Sequence, residues 1–138
     1  MYTDQRLDVA LLTAASIAPA ADIAASRYYP AVPVQVQQLW AVITTVTAVQ
    51  VITLTYKWRP TPGSDTGSST VGTVVIPIGT AAGKVVYKNI TTPAKLTPGG
   101  ELVVSASGAS ATGSATVGFS GSPSWESMAN NANAIASA

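Results

Sequence analysis

Polar and apolar residues alternate along most of this chain, and the period of the alternation predicts strands. The clearest run is 52–58, where Ile52, Leu54, Tyr56 and Trp58 share one face while Thr53, Thr55 and Lys57 share the other. A period of two marks a half-buried strand. The run stops at Arg59-Pro60-Thr61-Pro62-Gly63, where two prolines withdraw ladder donors. Upstream, Val34 and Val36 share one parity and Leu39, Ala41 and Ile43 the other, so the alternation slips at Gln37-Gln38. A one-residue slip predicts a bulge or bend inside a single strand.

Further extended segments are predicted over 71–78, 84–90, 101–106 and 114–120, the last with Ala115, Val117 and Phe119 on one face. Between them lie a polar loop at 63–70, a hairpin turn at Gly79–Gly83, a Pro98-Gly99 turn and a Ser/Ala/Gly loop at 107–113. About six to eight short strands separated by Gly/Pro turns predict an all-β fold, an antiparallel β-sandwich or jelly roll. Trp40, Tyr56 and Phe119 are expected in its core. The composition divides the chain into an N-terminal arm (1–30), the sandwich (31–122) and a C-terminal tail (123–138). In the Ala-rich arm, Leu7, Leu11 and Leu12 have helical spacing until Pro19 stops it; the tail reads equally as a short helix or an extended arm.

Residues 9–25 have the apolar character of a secretory signal, with a cleavage-like Ala18-Pro19-Ala20. Arg6, however, sits between Asp4 and Asp8 where a basic cluster is needed. Pro19 and Asp22 also interrupt the stretch short of the roughly 18 apolar residues of a spanning helix. No membrane association is expected.

Charge alters the picture more than hydrophobicity does. There is no histidine and no cysteine, and only 9% of residues are charged, against about a quarter in an ordinary domain. Side chains that usually carry protons, attack substrates or bind soft metals are missing, so no catalytic, cofactor or metal-binding residue is assigned and an enzyme is not expected. The basic residues Arg6, Arg27, Lys57, Arg59, Lys84, Lys88 and Lys95 form no run, which leaves direct nucleic-acid binding unsupported. A surface so poor in mixed charge lacks what normally keeps a domain from associating.

Three short motifs imitate chemistry. Asp65-Thr66-Gly67 matches the active-site triplet of aspartic proteases, but Pro62-Gly63-Ser64 precedes it where a hydrophobic strand should lead in. Asp65 is therefore read as a turn residue bonding its own backbone. Gly79-Thr80-Ala81-Ala82-Gly83-Lys84 imitates a phosphate loop, yet it is one residue short, has Val85 where a magnesium-holding hydroxyl belongs, and leads into a strand pattern. Asn89-Ile90-Thr91 matches a glycosylation acceptor without an export signal to support it. The aromatics say more: Trp58-Arg59, Arg27-Tyr28-Tyr29 and Trp125 are Trp, Tyr and Arg groupings of the kind enriched at protein interfaces, and these six residues are the candidate interface.

The succession VITLTYKWRPTPGSDTG, VVIPIGTAAGKVVYKNI and KLTPGGELVVSASG, covering about half the chain, resembles small β-sandwich structural proteins of tailed bacteriophages, especially capsid decoration or cement proteins. The resemblance implies a non-enzymatic virion protein on the outer capsid surface, made in the host cytoplasm. It would bridge and stabilise major capsid protein subunits, self-associating as a dimer or trimer. A tail, fibre or adhesin-type module that recognises a host glycan or protein is the alternative.

Overall fold

The computed structural model describes residues 7–17, 23, 26–108 and 111–123, the side chains of 92 and 93 apart. These residues form seven strands: β1 (Leu7–Ser16), β2 (Val34–Ala48), β3 (Ile52–Arg59), β4 (Ser69–Ile76), β5 (Val85–Leu96), β6 (Glu101–Ser107) and β7 (Thr112–Pro123). They build two antiparallel sheets, ordered β1-β7-β2-β5 and β4-β3-β6. The fold is an all-β sandwich.

β3, β2 and the turn before β6 follow from their patterns. β3 is central in the smaller sheet, and its alternating face puts Ile52, Leu54 and Tyr56 wholly inside. In β2 the slip at Gln37-Gln38 is a bulge, because the register shifts between Val36 and Gln38 against both neighbouring strands. The extra residue resets the parity, so Val34 and Val36 before it and Leu39, Ala41 and Ile43 after it all enter one core. At Pro98-Gly99 the Gly99 φ of 98° and the Gly100 N–H bond to the Thr97 carbonyl are those of a turn with proline leading and glycine in the left-handed position.

Three expectations change. Leu7, Leu11 and Leu12 belong to a strand and not to a helical stretch or a free arm; β1 pairs along β7 within the larger sheet. Register shifts between Ala10 and Leu12 and between Leu12 and Ala15 break its period of two, which is why the apolar spacing imitates a helix. The Gly79–Gly83 turn does not close a hairpin, since β4 and β5 lie in different sheets and the connection crosses the sandwich. Trp40 lies on the outer face of the larger sheet, half-buried, while Tyr56 and Phe119 fill the core as expected.

Polar bonds tie the layers together at mid-height. The buried Tyr56 hydroxyl, from the smaller sheet, donates to the carbonyls of Gly118 (2.7 Å) and Trp40 (3.1 Å) in the larger one. On the far side of that sheet the Trp40 ring covers Gly118, where a Cβ would lie 2.1 Å from the Val9 carbonyl oxygen and 2.5 Å from the indole. The indole N–H donates to Ser120 Oγ, which in turn donates to the Asp8 carboxylate. Ile23 and residues 26–28 lie along the edge of β6, with Tyr28 bridging Leu102 and the Ile23 N–H bonding the Val104 carbonyl. The part of the expected arm nearest the sandwich thus covers an edge that would otherwise be open.

Candidate functional site

Antiparallel pairing gives the sandwich two ends of opposite character. At one end β3 finishes opposite the start of β6, placing Arg59 directly across from Glu101. At the other, the β2–β3 turn, the β4–β5 crossing and the β6–β7 connection come together.

The first end is a closed cluster of ions. Glu101 is 1% exposed and receives four donors: Arg27 Nη1 (2.8 Å) and Arg59 Nη1 (3.0 Å) on Oε1, the Tyr29 hydroxyl (2.8 Å) on Oε2, and the Gly63 N–H (3.3 Å) on Oε1. Arg59 is itself buried and uses Nε to hold Asp65 (2.9 Å), which also pairs with Lys57 (3.0 Å). Burial alone would push the Glu101 carboxyl upward. The bonds from Arg27, Tyr29, Arg59 and Gly63 outweigh it and hold the group down at about 2. Lys57 and then Arg59 likewise lower Asp65, and the bond to Glu101 raises the Tyr29 hydroxyl.

An ionised carboxylate with this many donors fastens chain segments. Here it binds together residues 27–29, the end of β3, the loop after it and the start of β6.

The structure therefore gathers Arg27, Tyr29 and Arg59 around one residue, Glu101, that the sequence reading did not single out. Its partners lie 74, 72 and 42 positions away along the chain, so no local motif announces it. The available signal was a lone acid and a lone base at strand ends that pair in antiparallel register. Tyr28 is half-buried with its ring edge-on to Phe119, centroids 5.3 Å apart. The Trp58 ring is half-buried and crosses Gly100, where a Cβ would come within 2.2 Å of it. Of the group, Tyr29 offers the most surface, at 57% exposed. Trp125 lies outside the described residues. The Asp65 side chain turns to Lys57 and Arg59 instead of its own backbone; only its carbonyl closes the turn, accepting from the Ser68 N–H.

The second end carries almost no charge. Segments 28–56, 66–83 and 102–123 contain no Asp, Glu, Lys or Arg, and Lys84 is the one charged residue among the described residues at that end. Backbone bonds hold its loops together: Gly79 N–H to the Thr47 carbonyl (2.8 Å), and Gly83 N–H to the Ile43 carbonyl (2.7 Å). Large aliphatic side chains stand in solvent there, with Val49 62% and Ile78 56% exposed and Val46 and Val51 beside them in sequence. Val49 holds a φ of 74°, a strained setting for a β-branched residue and one that clusters at functional sites. Val85 and Tyr87 extend the exposed apolar surface down the outer face of β5, opposite Val42 and Trp40 on β2.

Geometrically this end can offer a dry, uncharged contact. Among the described residues no group of three or more acidic, histidine or cysteine side chains is placed to hold a metal ion. Comparison with protein-family models, with curated proteins and with solved structures finds no match to the chain.

Proposed function

We propose that the chain is a non-enzymatic structural subunit that docks onto a larger protein shell through its uncharged end. The shell is the head of a tailed bacteriophage, where the subunit sits on the outer surface as a dimer or trimer and bridges major capsid proteins. One observation carries the docking reading: the end formed by Val46, Val49, Val51 and Ile78 exposes aliphatic side chains with, among the described residues, a single charge, Lys84, near them. Covering the exposed half of each such side chain gains about 1 kcal/mol apiece, and little ionic desolvation opposes the gain. The capsid as partner comes from the resemblance of the strand-and-turn succession between Val51 and Phe119 to decoration proteins.

Capsids assembled with and without the chain test the proposal. Those carrying it should survive heat and chelator treatment that opens the bare shells. Equal resistance of the two preparations contradicts the cementing role. Binding of the isolated chain to a glycan array, with none to capsids, moves the assignment to a tail or fibre module.

A further inference from the structure

The open side of the sandwich, between the two ends, holds a different combination of features. β5 closes the larger sheet and β4 closes the smaller, so each presents an edge with no strand partner among the described residues. Between them runs a groove of about 200 Å³ lined by Val71, Gly72, Lys88, Asn89, Ile90 and Thr91. Its floor is tight, because a Cβ on Gly72 would lie 2.9 Å from the Leu39 side chain and 3.0 Å from that of Ile90.

Charge at this edge is all of one sign. Residues 66–100 contain Lys84, Lys88 and Lys95 and no Asp or Glu. All three lysines are exposed, and among the described residues none has an ion-pair partner, whereas Arg27, Lys57 and Arg59 are each paired. In a chain whose net charge is only +1, this is a concentrated positive edge.

We propose that the outer edge of β5 receives an extended, acidic polypeptide segment of a partner protein by strand addition. The edge N–H and C=O groups, without a strand partner among the described residues, supply the main-chain ladder. Lys88 and Lys95 on the strand, with Lys84 just before it, meet carboxylates on the incoming segment. Tyr87, opposite Trp40 on the outer face and 59% exposed, adds an apolar anchor on the face of the strand away from Lys88.

The same lysines decide which occupant is accepted. Edge lysines deter pairing with like strands, and a second copy approaching through its own β5 would set three lysines against three. An anionic lipid surface would satisfy the charge and leave the backbone edge unused. The groove and the unpaired ladder favour a polypeptide.

The proposal concerns the strand edge alone and stands or falls apart from the phage assignment. It is tested on the full chain with a fluorescein-labelled peptide alternating Glu and Thr, read by fluorescence anisotropy at low salt. A Glu-Thr peptide N-methylated at every residue keeps the charge and loses every backbone donor; one alternating Lys and Thr reverses the charge. The Glu-Thr peptide should bind and the other two should not. Lys88→Glu should weaken binding roughly tenfold, while Lys57→Gln, at the ion-pair end, should leave it unchanged. Hydrogen exchange should slow at β5 amides in the complex. Equal binding of the N-methylated peptide, equal sensitivity to Lys57→Gln, or no binding of the Glu-Thr peptide overturns the proposal. Phosphatidylserine vesicles that bind with the same Lys88 dependence, where the peptide does not, reassign the edge to lipid.

Discussion

The two ends of this sandwich are made by the same strands and finished in opposite ways. Where β3 meets β6, Glu101, Asp65, Arg27, Lys57 and Arg59 engage one another across four chain segments. Where β2 turns into β3, the loops are joined by backbone hydrogen bonds, and the aliphatic side chains of Val49 and Ile78 face outward. Among the described residues of a chain with so few charges, five lie in one cluster and only Lys84 at the opposite end. The contrast separates two tasks. Polar interactions at the first end are satisfied internally and join chain segments, while the second end, among the described residues, exposes apolar surface that the proposed docking would cover.

The comparison predicts a steep difference in sensitivity to substitution. Glu101→Ala removes the shared acceptor and leaves Arg59 buried with Asp65 as its remaining acidic partner of the two. Losing one member of a buried pair should lower stability by about 3–5 kcal/mol, read as a fall in the urea midpoint at neutral pH. Acid should probe the same end without a mutation. Because the Glu101 carboxyl is held at about 2 in the folded chain, below its ordinary 4.5, the unfolded chain binds more protons through that window. The stabilisation is therefore complete above about pH 4.5 and is lost as the pH falls toward 2. Urea midpoints at pH 7 and pH 3 should diverge in the parent and converge in Glu101→Gln, apart from the smaller contribution of Asp65, whose shift has the same sign.

Midway between the ends, Tyr56→Phe deletes the hydroxyl that bridges the sheets through Gly118 and Trp40. It should cost about 1–2 kcal/mol, since two buried carbonyls lose a donor. At the uncharged end the sign reverses. Val49→Asn relieves a β-branched residue of its φ of 74° and removes no buried contact, so the urea midpoint should rise by the equivalent of about 1 kcal/mol.

The contrast between the ends was only partly readable beforehand. Strands with unbroken alternation, such as β3 and the Ala115-Val117-Phe119 face of β7, were legible, and even the β2 bulge showed as a parity slip. β1 was not, because its register shifts scramble the period that identifies a strand. Nor was the crossing at Gly79–Gly83, since a turn has the same local composition whether its strands pair in one sheet or belong to two. Trp40 was misplaced because an aromatic on an outer face looks like core until Gly118 supplies the flat surface it covers. Arg27, Tyr29 and Arg59 stood out by residue type, while the Glu101 that unites them depends on long-range pairing. The uncharged end was legible as missing charge throughout the chain, but its confinement to one end needed the strand directions.

The separation of tasks is tested most directly by cosedimentation with purified capsids of a Val49→Asp/Ile78→Asp double variant. Both residues are exposed, so unfolding in urea should match the parent to within about 0.5 kcal/mol. The account predicts that the variant stays folded and remains in the supernatant while the parent pellets with the capsids. A folded double variant that pellets as fully as the parent would show that the uncharged end is not the docking surface.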